Sequence, residues 1–217
     1  MRKVRIMIAD DHAIVRRGLR ALLDAQPGWE VCAEASNGRE AVFSAEQLQP
    51  DIAVVDIGMP ELNGLDATRQ ILTVSPRTEV LILTMHQADE VVAEVLKAGA
   101  RGYVLKSDAD QDLVAAIETL LEHKPFLNSD VAGIVLSDYL NRRALSVDLF
   151  SVRTITPRER EIIQLLAEGK TNKEVAITLD ISTRTVETHR ANIMHKLNID
   201  SVSDLVRYAI RNNIVEL

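Results

Sequence analysis

The sequence predicts an α/β chain: a doubly wound five-stranded parallel sheet, then a small all-helical domain. Three observations carry that prediction. Over residues 1–124, short apolar runs alternate with helical segments, the pattern of a parallel sheet covered by helices on both faces. Several of the runs are apolar without a break, as strands buried on both sides must be. Beyond Lys124 the strand-like runs stop, and the remainder reads as helix with clear start and stop signals.

The five strands are VRIMIA (4–9), EVCAEA (30–35), IAVV (52–55), VLIL (80–83) and GYVL (102–105). Helical segments fall near 13–24, 39–48, 64–74, 88–98 and 109–122. KPFLNSD breaks the last of them, and one more helical stretch, roughly Asp130 to Leu140, lies in an expected linker over 124–153. That divides the chain into 1–123, a linker, and 154–217. In the tail, Thr156 with Pro157 and Glu159 forms a capping box with proline at the first helical position. Gly169 ends that helix, and Thr171 with Glu174 forms a second box. Asp180-Ile181-Ser182 makes a tight turn into a third helix over Thr183 to Leu197, and Ser201 starts a fourth. Two helices joined by so short a turn, the second with an apolar stripe of Val186, Ile193 and Leu197, give helix-turn-helix geometry.

With 47% hydrophobic and 26% charged residues, the chain has material for two packed cores and a polar surface. A single cysteine, Cys32, rules out an internal disulfide framework and reads as small core filler in a strand. No run approaches the roughly 20 apolar residues needed to cross a bilayer, and MRKVRIMIADD turns acidic too soon for a secretory signal. The expected location is the cytoplasm, with no membrane partner. The charge of -7 is uneven: residues 1–124 carry 13 Lys/Arg against 20 Asp/Glu, and residues 151–217 carry 10 against 9. A near-neutral tail leaves room for a local basic face.

In a doubly wound sheet, sites form beyond the carboxyl ends of the strands, where the strand order reverses. Asp10 and Asp11 follow the first strand, Asp56 the third, Thr84 the fourth and Lys106 the fifth. In the order 2-1-3-4-5 the first and third strands are neighbours, so three carboxylates converge and need a cation between them. Oxygen ligands with open positions suit Mg²⁺, while Lys106 and Thr84 offer a charge and a hydroxyl to an incoming anion. His12 reads as a surface residue at a helix start.

These residues, in order and spacing over 3–122, resemble the flavodoxin-like receiver domain of two-component response regulators. The resemblance implies that Asp56 accepts a phosphoryl group from a sensor histidine kinase. It implies that Asp10, Asp11, Asp56 and the Gly58 backbone carbonyl hold Mg²⁺, that Lys106 pairs with the phosphoryl oxygens, and that Thr84 and Tyr103 change position as the switch. His86 falls where the family tunes aspartyl-phosphate lifetime. Where many receivers follow the lysine with a cis proline, this chain has Ser107. A metal-dependent phosphatase is the rival reading, but Ile57-Gly58-Met59 after Asp56 supplies no second catalytic acid. A nucleotide enzyme lacks its glycine motifs.

The stretch TPREREIIQLLAEGKTNKEVAITLDISTRTVETHRANIMHKL resembles the LuxR-type helix-turn-helix. Together with the receiver, it identifies the chain as similar to the NarL/FixJ response regulators. With the apolar stripe of the third tail helix turned inward, Arg184, Glu187, Thr188, Ala191 and His195 share the outer face. The resemblance places Glu187, Thr188 and Ala191 in the major groove of double-stranded DNA. It assigns phosphate contacts to Asn172, Lys173, Thr183, Arg184, Thr185, Arg190 and Lys196. A homodimer formed on phosphorylation is expected. A protein-docking module and a constitutive DNA binder are the alternatives.

Overall fold

The computed structural model describes residues 3–85, 89–126 and 155–215. They fall into two compact units, each described by itself. His86 and the helix expected near 130–140 lie outside the described residues.

In the first unit, β1 (Val4–Ala9), β2 (Trp29–Ala35), β3 (Ile52–Asp56), β4 (Glu79–Thr84) and β5 (Gly102–Leu105) form one parallel sheet. Its order is β2-β1-β3-β4-β5, as expected. The intervening helices are α1 (Ala13–Asp24), α2 (Gly38–Leu48), α3 (Gly64–Val74), α4 (Asp89–Ala98) and α5 (Ala109–Leu121). Alternate strand residues face opposite sides, and both sides are buried. Met7, Val55, Ile82 and Tyr103 pack against α2, α3 and α4. Ile6, Ile8, Val54, Leu81 and Val104 pack against Leu19 and Leu23 of α1 and Leu113 and Ile117 of α5. This two-sided burial explains why the central strands are apolar throughout.

One strand departs from its expected reading. The β1–β2 register runs from Ile6↔Val31 to Met7↔Ala33, so Cys32 is the extra residue at the irregularity. A bulged residue has no cross-strand partner, and Cys32 sits half-buried rather than filling the core. Burial pushes its thiol pKa up. Lys106 opens a short 3-10 turn (Lys106–Asp108) after β5, and no peptide bond among the described residues is cis, Lys106–Ser107 included.

The second unit is α6 (Pro157–Ala167), α7 (Asn172–Thr178), α8 (Thr183–Leu197) and α9 (Val202–Arg211). Both capping boxes form, and Ser182 and Ser201 cap α8 and α9. The turn into α8 pivots on Asp180 (φ 51), and Asn198 (φ 52) ends the helix in the left-handed conformation that asparagine tolerates. Ile162, Ile163, Leu165, Val175, Val186, Ile193, Leu205 and Ala209 close one core among the four helices. Among the described residues no helix is long and apolar enough to cross a membrane.

Candidate functional sites

The carboxyl ends of β1, β3, β4 and β5 bring the expected residues to one end of the sheet. Asp10 (1% exposed) and Asp56 (5%) are buried, whereas Asp11 is exposed. Lys106 Nζ lies 2.8 Å from Asp10 Oδ2 and 2.8 Å from Asp56 Oδ2. Burial alone pulls the Lys106 ammonium pKa down, but the hydrogen bonds it donates to Asp10 and Asp56 outweigh that and leave the pKa above its ordinary value. Gly64 fixes the Asp56 end of this arrangement. A Cβ there would sit 1.9 Å from the Asp56 carbonyl oxygen, so only glycine lets α3 start so close to the acid.

The donors fit a small divalent cation. Ligand atoms of Asp10, Asp11, Asp56 and His12 all lie within 4.8 Å of one another, so a shift of a few tenths of an ångström would bring them to the about 4.2 Å that separates opposite ligands of one octahedral ion. Asp10 Oδ2 is buried and, apart from its ion pair with Lys106, makes no aligned hydrogen bond. Gly58 is half-buried in the loop after β3. His12 is more involved than its sequence position suggests. Its ring Nδ1 is 2.6 Å from Asp11 Oδ1, although the side chain is 67% exposed.

Thr84 and Tyr103 are both buried, at 1% exposure each. β4 and β5 pair Ile82 with Tyr103 and Thr84 with Leu105, which puts Thr84 and Tyr103 on the same face of the sheet. Burial raises the Tyr103 phenol pKa.

On α8, Val186 and Ile193 are buried and Leu197 half-buried, while Arg184, Glu187, Thr188, Ala191 and His195 are all exposed. The outer face is thus the one that the periodicity indicates. The Thr188 hydroxyl donates to Arg184 O at 2.9 Å, so acceptor lone pairs and a methyl are what it retains for an outside partner. Lys173 and Thr185 are exposed, and Asn172, Thr183 and Arg190 are half-buried.

Lys196 is engaged within the unit. Its Nζ meets Glu159 Oε2 at 2.8 Å, the carboxylate that also receives Thr156 N–H. Local pattern shows Glu159 as a cap, but its second partner lies 37 residues away. Burial alone raises the Glu159 pKa, while hydrogen bonds from Lys196 and Thr156 overcome that and hold it below the usual carboxylate value of 4.5. A depressed pKa contributes stability that is present above the unfolded value and lost as pH falls through the folded one. Glu159→Gln keeps an N3 residue that can complete the capping box but removes the charge that Lys196 meets, and it is expected to lower the melting temperature of this unit at neutral pH. The difference should shrink in acid, and melts recorded from neutral pH to well below the carboxylate range measure it.

The first unit thus carries an acid cluster paired with one lysine at the end of its sheet, and the second carries a helix-turn-helix. Residues 6–118 match the response regulator receiver domain, and residues 153–209 match the LuxR family of bacterial regulatory proteins. The chain belongs to the two-component response regulators with a LuxR-type DNA-binding domain, a family of transcriptional regulators rather than enzymes. It is 40% identical over 212 residues to the transcriptional regulatory protein LiaR of Bacillus subtilis, covering 98% of this chain and 99% of LiaR. It is 37% identical over 216 residues to the oxygen regulatory protein NreC of Staphylococcus carnosus, covering 98% and 100%. Among solved structures it resembles RcsB of Salmonella typhimurium, with 26% identity, 98% and 99% of the two chains covered and a TM-score of 0.63. An RcsB–DNA complex matches at 25% identity, 97% and 98% coverage and a TM-score of 0.58.

Proposed function

We propose that Asp56 is the phosphoacceptor and that its modification controls DNA binding by the second unit. The observation that carries this reading is the single ammonium, Lys106 Nζ, held 2.8 Å from both Asp10 and Asp56 at the end of the sheet. A phosphohistidine of a sensor kinase gives its phosphoryl group to an Asp56 oxygen. The P–N bond breaks as the P–O bond forms, leaving a neutral imidazole once that nitrogen has its proton. Asp10, Asp11, Asp56 and the Gly58 carbonyl would hold Mg²⁺, which would supply charge neutralisation for the phosphoryl oxygens. Lys106 turns from the carboxylates to the new phosphoryl oxygens, and Thr84 hydrogen-bonds to them. Tyr103, on the same face of the sheet, reports that movement to the surface of α4, β5 and α5.

In the second unit Glu187, Thr188 and Ala191 face base edges. Asn172, Lys173, Thr183, Arg184, Thr185 and Arg190 meet phosphates, with Lys196 available only at the expense of its bond to Glu159. Two copies bind paired half-sites, a reading supported by the structure of two RcsB dimers bound to two parallel DNAs. Residues 1–123 act as the receiver, 124–153 as the linker and 154–217 as the DNA-binding domain, working in the cytoplasm.

Binding of a genomic DNA pool before and after treatment with acetyl phosphate and Mg²⁺ tests the whole reading. Affinity should rise on phosphorylation and fall with salt by about 0.9 log units per log unit for each phosphate contacted. Lys173→Ala is expected to weaken binding to every sequence, whereas Thr188→Ala changes which bases are preferred by about 1–3 kcal/mol at one position. If the two variants behave alike in a fragment-selection assay, the assignment of faces is wrong.

A further inference from the structure

We infer that Arg16 is a positioning residue for the divalent cation at this site, tying the loop that carries Asp10 and Asp11 to β2; the inference rests on the phosphoacceptor reading above. β2 contributes no acid to the cluster, yet it holds the loop in two ways. Asp10 N–H donates to Ala35 O at 3.1 Å. On the other side of the same residue, Arg16 Nη1 donates to Asp10 O at 2.7 Å. The guanidinium is held in turn by Glu34 of β2, whose Oε2 lies 3.6 Å from Arg16 Nε. Glu34 also bonds Arg20 Nε, one turn further along α1, so its own position is braced by two arginines.

The consequence follows from peptide geometry. The Asp10 carbonyl and the Asp11 N–H share one rigid plane. A hydrogen bond that fixes the carbonyl therefore fixes the direction in which Asp11 leaves Asp10. Meanwhile Asp10 Oδ1 accepts His12 N–H at 2.7 Å, which leaves Oδ2 aimed at Lys106 and Asp56. Removing Arg16 frees that plane to rotate about the backbone, and the two acids lose their mutual orientation. The guanidinium touches none of the carboxylate oxygens itself; it acts through the main chain. Partners of this kind around metal ligands are worth about 10- to 100-fold in affinity.

Positioning and simple charge make opposite forecasts. Were Arg16 only a nearby positive charge, its loss would leave the acids more negative and bind a cation more tightly. Were it a positioning residue, its loss weakens binding. Calorimetric titration of the full chain with MgCl₂ separates them. Arg16→Ala is expected to weaken Mg²⁺ binding by about 10-fold, with Arg16→Lys, which keeps one donor, recovering part of the loss. Glu34→Ala keeps the Arg16 charge and removes its brace, and it should also weaken Mg²⁺ binding, though by less. Unchanged or tighter binding in Arg16→Ala overturns the inference. If that variant does not fold, unchanged binding in Glu34→Ala overturns it instead. Failure of the phosphoacceptor reading looks different: the unsubstituted chain itself would bind no Mg²⁺, and the inference would fall with it.

Discussion

Asp56→Asn is expected to abolish phosphoryl uptake. Incubated with acetyl phosphate and Mg²⁺, the unsubstituted chain should gain the mass of one phosphoryl group, and the variant none. The expectation is all-or-none because a carboxylate oxygen is the attacking atom and an amide has no equivalent nucleophile. Asparagine is otherwise a gentle change. It keeps the size of a side chain that is 5% exposed at the end of β3, beside the point where α3 begins against the Asp56 carbonyl. It also leaves Lys106 its bond to Asp10. Loss of labelling in a chain that melts like the parent therefore reports chemistry rather than unfolding. Any rise in DNA affinity caused by acetyl phosphate should vanish with it. Equal labelling of the two chains would mean that another residue accepts the phosphoryl group.

What the sequence reveals of this molecule, and what it conceals, divides along a physical line. Strand existence and order are legible because burial on both faces leaves a continuous apolar run, and because short helical crossovers restrict the topology. The second unit is legible in finer detail. Thr156 and Thr171, each followed three residues later by a glutamate, satisfy the helix's own end groups, so a local pattern encodes a local bond. Contacts between distant segments carry no such signature. Nothing around Lys196 announces Glu159, and nothing around Arg16 announces the Asp10 carbonyl, because each depends on how helices sit after packing. Cys32 departs from the core position expected of it for a related reason. Alternation in EVCAEA suits an unbroken strand, while the irregularity opposite Ile6 and Met7 exists only in the pairing of β2 with β1. The acid cluster was readable only through topology: Asp10 and Asp56 become neighbours because β1 and β3 do.

Lys106→Ala should produce the second large effect, on stability, and its dependence on Mg²⁺ is the informative part. The ammonium is 11% exposed and bonded to two buried carboxylates. Removing one partner from a buried ion pair costs about 3–5 kcal/mol, because the charges left behind stay desolvated and uncompensated. Asp11 opens the site to water, so the lower end is the better guide: about 3 kcal/mol, or a fall of about 10 °C in the melting temperature of the receiver. That penalty applies in chelator. A divalent cation held by Asp10 and Asp56 would compete with Lys106 for the same two carboxylates, so the variant should bind Mg²⁺ more tightly than the parent. Cation bound only by the folded state adds stability that grows with concentration, about 2.7 kcal/mol at 100 times the dissociation constant. The melting curves of variant and parent should accordingly lie furthest apart without Mg²⁺ and converge as it is added. A constant separation across the titration would mean that lysine and cation do not share those two acids, and the arrangement proposed for phosphoryl transfer would lose its central feature.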